Sequence, residues 1–80
     1  MNIEDEIKKF VLENIFSDPH VKIGLDDDFV RLGYVNSFGI LEIVAFIEDT
    51  YNVNFEAEDF IEDNFSSLTS IFKTTKFRMK

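Results

Sequence analysis

Ser37 stands where a short loop, Gly33-Tyr34-Val35-Asn36, meets the longest apolar-periodic segment of the chain. A serine hydroxyl becomes a nucleophile when a neighbouring base takes its proton and a third group orients that base. The single histidine, His20, lies in a separate loop, and no motif pairs it with Ser37. Self-catalysis is therefore not expected. Ser37 reads either as a helix cap, a role Asn36 could equally take, or as an exposed hydroxyl to which another enzyme adds a group. A helix start tolerates an anionic phosphodiester, because free N–H groups and the positive end of the dipole point at it.

The other reactive types point nowhere as specific. Asp26-Asp27-Asp28 lacks the alternating acids, the glycine and the distal glutamate of a calcium loop, so it reads as a capping, solvated run. Glu56, Glu58, Asp59, Glu62 and Asp63 read as a charged surface around a short helix, and no metal site is expected. Ser66-Ser67 also precedes an apolar-periodic helix, but without a loop glycine or an acidic face beside it. His20 reads as a surface residue. There is no cysteine, which excludes a disulfide scaffold, a zinc-thiolate site and a thiol nucleophile from the chain itself.

Four helices must position these residues. Ile3, Ile7, Phe10, Val11 and Ile15 form one helical stripe, with Asn2 as N-cap and Ser17-Asp18-Pro19 as the stop. Residues 19–36 form a long connection whose apolar side chains keep no period. Within it Asp26-Asp27-Asp28 is placed to cap one short turn that Gly33 would end. The second helix spans about Ser37 to Tyr51. Its inner face holds Ile40, Ile43, Val44, Ile47 and Tyr51. Its outer face holds Phe38, Leu41, Glu42, Ala45 and Asp49, with Phe46 and Glu48 at the borders. A face both acidic and apolar reads as a docking patch. Asn52-Val53-Asn54 breaks this helix. A short third helix over 57–61 is expected to turn Phe60 and Ile61 inward and to end at Asn64. Ser66 or Ser67 caps the last helix, in which Leu68, Ile71, Phe72 and Thr75 repeat at helical spacing. The expectation is an all-α bundle of three main helices and one short one, with the long loop between helices 1 and 2.

Eighty residues bound this to one small domain over 1–80, and ten Phe spread along the chain leave disorder to the ends. The net charge is −8, and eleven acids against one base, Arg31, lie between Asp26 and Asp63. Such a surface repels nucleic acid and attracts basic protein partners. No stretch suits a bilayer or a cleaved leader, so a cytoplasmic monomer is expected.

From Gly33 onward the residues also carry a resemblance. Gly33-Tyr34-Val35-Asn36-Ser37-Phe38 resembles the G-x-x-D-S-[LMF] signature of acyl carrier proteins and of peptidyl or aminoacyl carrier domains. Two residues between the glycine and the Asp position look more like D-alanyl carriers and free-standing carriers than like the fatty-synthesis type. Glu42, five positions after the serine, matches the family's acidic residue, and Ile47-Glu48-Asp49-Thr50-Tyr51-Asn52-Val53 is similar to its acidic pair, aromatic and turn. Asn64-Phe65-Ser66-Ser67-Leu68 followed by Ile71 looks like the segment that opens the family's last helix.

The resemblance implies a four-helix carrier protein that is not itself an enzyme. It implies that a phosphopantetheinyl transferase moves 4′-phosphopantetheine from coenzyme A to Ser37, and that the arm's thiol holds an acyl or aminoacyl group. An adenylating ligase or another acyl-transfer or synthase enzyme would then be a partner. Such partners would read Phe38, Leu41, Glu42, Ala45, Glu48 and Asp49. The chain departs from the pattern at Asn36, where the family's Asp is implied to help the transferase, partly by holding Mg²⁺. Asn36 keeps an oxygen for capping and loses the charge. The alternative is an unmodified carrier-like module that binds partners through its acidic helix.

Overall fold

The computed structural model describes residues 2–16 and 22–79. The expected helix stop at Ser17-Asp18-Pro19, and His20, lie outside the described residues. Within them the elements are α1 (Ile3–Phe10), continued by a π-helical turn (Val11–Ile15), then α2 (Ser37–Tyr51), a 3₁₀ turn (Ala57–Asp59), α3 (Glu62–Phe65) and α4 (Leu68–Arg78). No strand occurs among the described residues, so the architecture is the expected all-α bundle.

α1 starts where Asn2 Oδ1 accepts the Glu4 N–H at 2.8 Å, and Glu4, Asp5 and Glu6 follow at the positive end of the helix. The π-helical turn widens the last stretch: Phe16 N–H reaches back five residues to Val11 O at 3.0 Å. This turn carries Ile15 against the first turn of α2. Farther along the two helices, the Phe10 and Phe46 rings stack at 4.1 Å, and Tyr51 donates its hydroxyl proton to Glu6 Oε1 at 2.6 Å. Burial and the adjacent Glu6 carboxylate push the Tyr51 pKa up, so the hydroxyl remains a donor.

The long connection is held down at one side chain. Phe29 is fully buried, and its ring meets Phe16 edge-on at 5.8 Å. Its N–H donates to Ser66 O at 2.9 Å, and its carbonyl accepts from Tyr34 N–H at 2.9 Å. The aspartate run is spent locally. Asp27 accepts from Gly24 N–H at 2.7 Å, and Asp28 from Arg31 N–H at 2.9 Å. The turn closes at Gly33, whose φ of 88° suits a residue without a Cβ.

α2 ends as its asparagines suggest, with Asn52 in the left-handed region (φ 56°). The segment that follows departs from expectation. It is a 3₁₀ turn and a separate α3 rather than one helix over 57–61, and Asn64 lies inside α3 rather than ending a helix. Glu56 and Asp59 cap one another at the start of the 3₁₀ turn, and the chain leaves it at Phe60, whose φ of −84° and ψ of 58° are not helical. Phe60 and Ile61 therefore fall in the corner between two short helices, and both are about half exposed instead of facing inward.

α4 starts at Ser67, whose Oγ accepts the Ser70 N–H at 3.1 Å, and it buries Leu68, Ile71, Phe72 and Thr75 as the spacing predicts. Thr75 Oγ1 is buried with no hydrogen-bond partner among the described residues. Replacing Thr75 by valine keeps the shape and removes that unmet polar atom. The change should raise stability by about 1 kcal/mol, read as a higher urea midpoint at unchanged slope.

Arg78, at the end of α4, forms a two-pronged pair with Asp59: Nε to Oδ2 at 2.7 Å and Nη2 to Oδ1 at 2.9 Å. These bonds from Arg78 hold the Asp59 carboxyl below its ordinary value of 3.8. A depressed carboxylate contributes stability above its unfolded pKa and loses it as pH falls through the folded pKa. The destabilisation caused by Asp59→Asn should thus be clear at neutral pH and fade below about pH 3.8, in paired urea-unfolding curves.

Candidate functional site

The first turn of α2 is built so that one hydroxyl is left free. Asn36 is extended (φ −107°, ψ −177°) and its Oδ1 accepts the Gly39 N–H at 3.0 Å. Its carbonyl accepts the Ile40 N–H at 3.1 Å. The cap is therefore Asn36, and Ser37 is the first helical residue, exposed, with no hydrogen bond to its hydroxyl among the described residues. By contrast, Ser67 is buried and its hydroxyl is tied to Ser70 in the α4 cap.

Gly39 sets how closely this turn approaches its neighbours. A Cβ at that position would lie 3.0 Å from Val35 Cγ1 and 3.3 Å from Ile15 Cγ2. The glycine thus lets the loop and the π-helical turn close under the helix start, with Ser37 on the outside.

Beside Ser37 opens a cleft of about 330 Å³. Its near wall is Ser37, Ile40 and Leu41 of α2, and its far wall is Phe60, Ile61 and Glu62. Val30 and Phe65 complete the lining. The lining is mostly apolar. Ile40, expected in the core, is half-buried and faces this cleft. The far wall was missed in the sequence because Phe60 and Ile61 were read as core. The E-x-x-D spacing of Glu56 and Asp59 marks where the turn starts, and no local signal marks its end at Phe60.

The outer face of α2 is exposed. Phe38 and Leu41 are 68% and 58% accessible, and Glu42, Ala45 and Asp49 share their side of the helix. Glu48 differs. It is half-buried, and its Oε2 accepts the Phe55 N–H at 3.0 Å, so this carboxylate holds the loop after α2. No cluster of three metal-ligating side chains occurs among the described residues. Nor does any helix there have the length and apolarity to cross a membrane.

Residues 11–71 match the family model described as the phosphopantetheine attachment site. The chain belongs to this family. It is a carrier protein of the phosphopantetheine type, and its prosthetic group is covalently attached 4′-phosphopantetheine. Carrier domains of this kind generally meet a phosphopantetheinyl transferase and biosynthetic enzymes, and are generally not catalysts themselves. No curated protein matches the chain. The start of α2 fits such a group. Its first turn holds no acidic residue, and with Gly39 and Ile40 N–H engaged by Asn36, the Ser37 and Phe38 N–H groups precede the first intrahelical acceptors. A phosphodiester beside them meets donors and the positive end of a 15-residue helix.

Proposed function

We propose that Ser37 is the residue that carries the phosphopantetheine arm, and that this chain delivers an acyl or aminoacyl group between partner enzymes. The observation that carries the reading is the division of labour at the start of α2: Asn36 caps, and the Ser37 hydroxyl is exposed and makes no hydrogen bond among the described residues. The arm supplies a thiol, absent from the chain itself, on which the cargo is held as a thioester.

The chain's own residues position and present. The free first-turn N–H groups would hold the phosphate end of the arm, and the apolar cleft beside Ser37 lies next to the point of attachment. The transferase, and an adenylating ligase or other acyl-transfer enzyme, dock on Phe38, Leu41, Glu42, Ala45 and Asp49 through basic, partly apolar surfaces. Glu48 contributes less than its position in sequence suggests, because its carboxylate already serves the Phe55 N–H. The protein acts as a single monomeric carrier unit in the cytoplasm, where coenzyme A and the loading enzymes meet it.

The experiment is to incubate the phosphopantetheinylated chain with a ligase, ATP and candidate acids. A further mass gain released by neutral hydroxylamine supports a thioester. Failure to load with acyl or aminoacyl substrates, despite an attached arm, would argue against cargo transfer.

Asn36 bears on the rate of modification, because it lacks the family's charge before the serine. The variant Asn36→Asp tests this. Aspartate caps a helix as well as asparagine does, so the fold stays unchanged. The initial rate of arm transfer should rise, on the order of tenfold for about 1.4 kcal/mol of added charge interaction. An unchanged rate would mean that the charge before the serine is not what the transferase reads.

A further inference from the structure

The far wall of the cleft at Ser37 has little structure of its own. Phe60 sits at φ −84°, ψ 58°, the centre of an inverse γ-turn closed by Ile61 N–H to Asp59 O at 2.9 Å. The residue before it is the anchor. The Asp59 carbonyl also accepts from Asn64 Nδ2 at 2.8 Å, and its carboxylate accepts from Glu56 N–H at 2.8 Å. The same carboxylate takes both prongs of Arg78. Asp59 is 7% exposed, so its charge sits in a place where it needs a partner. Among the described residues, Arg78 alone supplies a cation there.

We propose that Arg78, acting through Asp59, is the positioning residue for the Phe60–Ile61 wall and so determines whether apolar cargo is sheltered beside Ser37 or left in solvent. The second half of this inference rests on the reading of Ser37 as the attachment serine; the first half does not. The chain of contact is short. Arg78 fixes the Asp59 carboxylate, Asp59 fixes the γ-turn, and the γ-turn presents Phe60 and Ile61 across the cleft from Ile40 and Leu41. The Phe60 ring rests on Phe65 at 6.0 Å and Phe55 at 6.4 Å, and its N–H donates to Ala57 O at 3.2 Å. When the guanidinium is removed, the buried carboxylate turns toward water and draws the wall with it. The site suits apolar acyl groups, since the lining offers them Ile40, Leu41, Phe60, Ile61 and Phe65.

The test compares the wild type with Arg78→Met, which keeps the stem, Arg78→Lys, which keeps a point charge without the fork, and Lys76→Met, which removes the neighbouring pair with Glu4. Amide exchange is first measured on the chain without its arm. Arg78→Met should speed exchange at Ile61 and Asn64 about tenfold while Ile43 and Ile47 stay protected; Arg78→Lys should recover part of the protection, and Lys76→Met should change neither. Equal acceleration throughout the chain, or none at Ile61, overturns the clamp.

The armed chain is then loaded with an octanoyl group. In the wild type the methyl resonances of Ile40 and Ile61 should shift on loading, and in Arg78→Met they should not. The same shifts in both overturn the role in sheltering. A chain that takes no arm at Ser37 overturns the attachment reading and the sheltering role that rests on it, and the exchange measurement still decides the clamp.

Discussion

Replacing Phe29 by alanine should lower stability by about 4 kcal/mol and the thermal midpoint by roughly 20 °C. Phe29 is completely buried, and it is the point at which the long connection is fastened to the bundle. Its ring lies edge-on to Phe16, its N–H is bound to Ser66 O, and its carbonyl receives the Tyr34 and Val35 N–H groups at 2.9 and 3.3 Å. Truncation keeps the backbone bonds possible but empties the space they close around. A domain of this size holds only about 5–15 kcal/mol in total. The same change should slow arm transfer, because Val35 and Asn36 lead directly from this anchor into the Ser37 turn. Circular dichroism melts and transfer rates on one preparation test both effects. A midpoint shift of only a few degrees would mean that the loop is held elsewhere.

Ser37→Ala should have the opposite profile. Arm transfer should vanish, while the thermal midpoint stays within about 2 °C of the wild type. The reason is that Asn36 caps α2 and the Ser37 hydroxyl makes no hydrogen bond among the described residues. Alanine is also a good helix former in the first turn. Intact-mass spectrometry and a melt read the two quantities. A marked loss of stability would show that the hydroxyl has a structural task that the geometry does not display.

How much of this could be read in the sequence depends on the range of the interaction concerned. α2 was readable at both ends, because Asn36 and Asn52 act on their own neighbours and the stripe of Ile43, Val44 and Ile47 repeats at helical spacing. The same holds for Ser67 and the buried face of α4. Phe60 and Ile61 were misread because large apolar residues near a helical pattern are ordinarily core. What places them outside is the γ-turn at Phe60, closed on Asp59 O, together with a pair between Asp59 and Arg78 that no local period encodes. Glu48 counts among the partner-reading positions through the resemblance alone, and its departure has a similar reason. Helical spacing puts it at the border, and only the folded loop supplies the Phe55 N–H that draws its carboxylate aside. The π-helical turn after α1 left no trace in the apolar spacing, since Val11 is buried whether the turn is α or π. At the site itself, the sequence singles out Ser37 and places Leu41 on a docking face, whereas Ile40 and the far wall are expected in the core and instead line the cleft.

The most direct measurement of the central claim is the mass of the wild-type chain after incubation with coenzyme A and a phosphopantetheinyl transferase, followed by fragmentation to locate the addition. The expected result is a single phosphopantetheine on Ser37. No addition with several transferases, including one from the protein's own source, or an addition at Ser66 or Ser67, would contradict it.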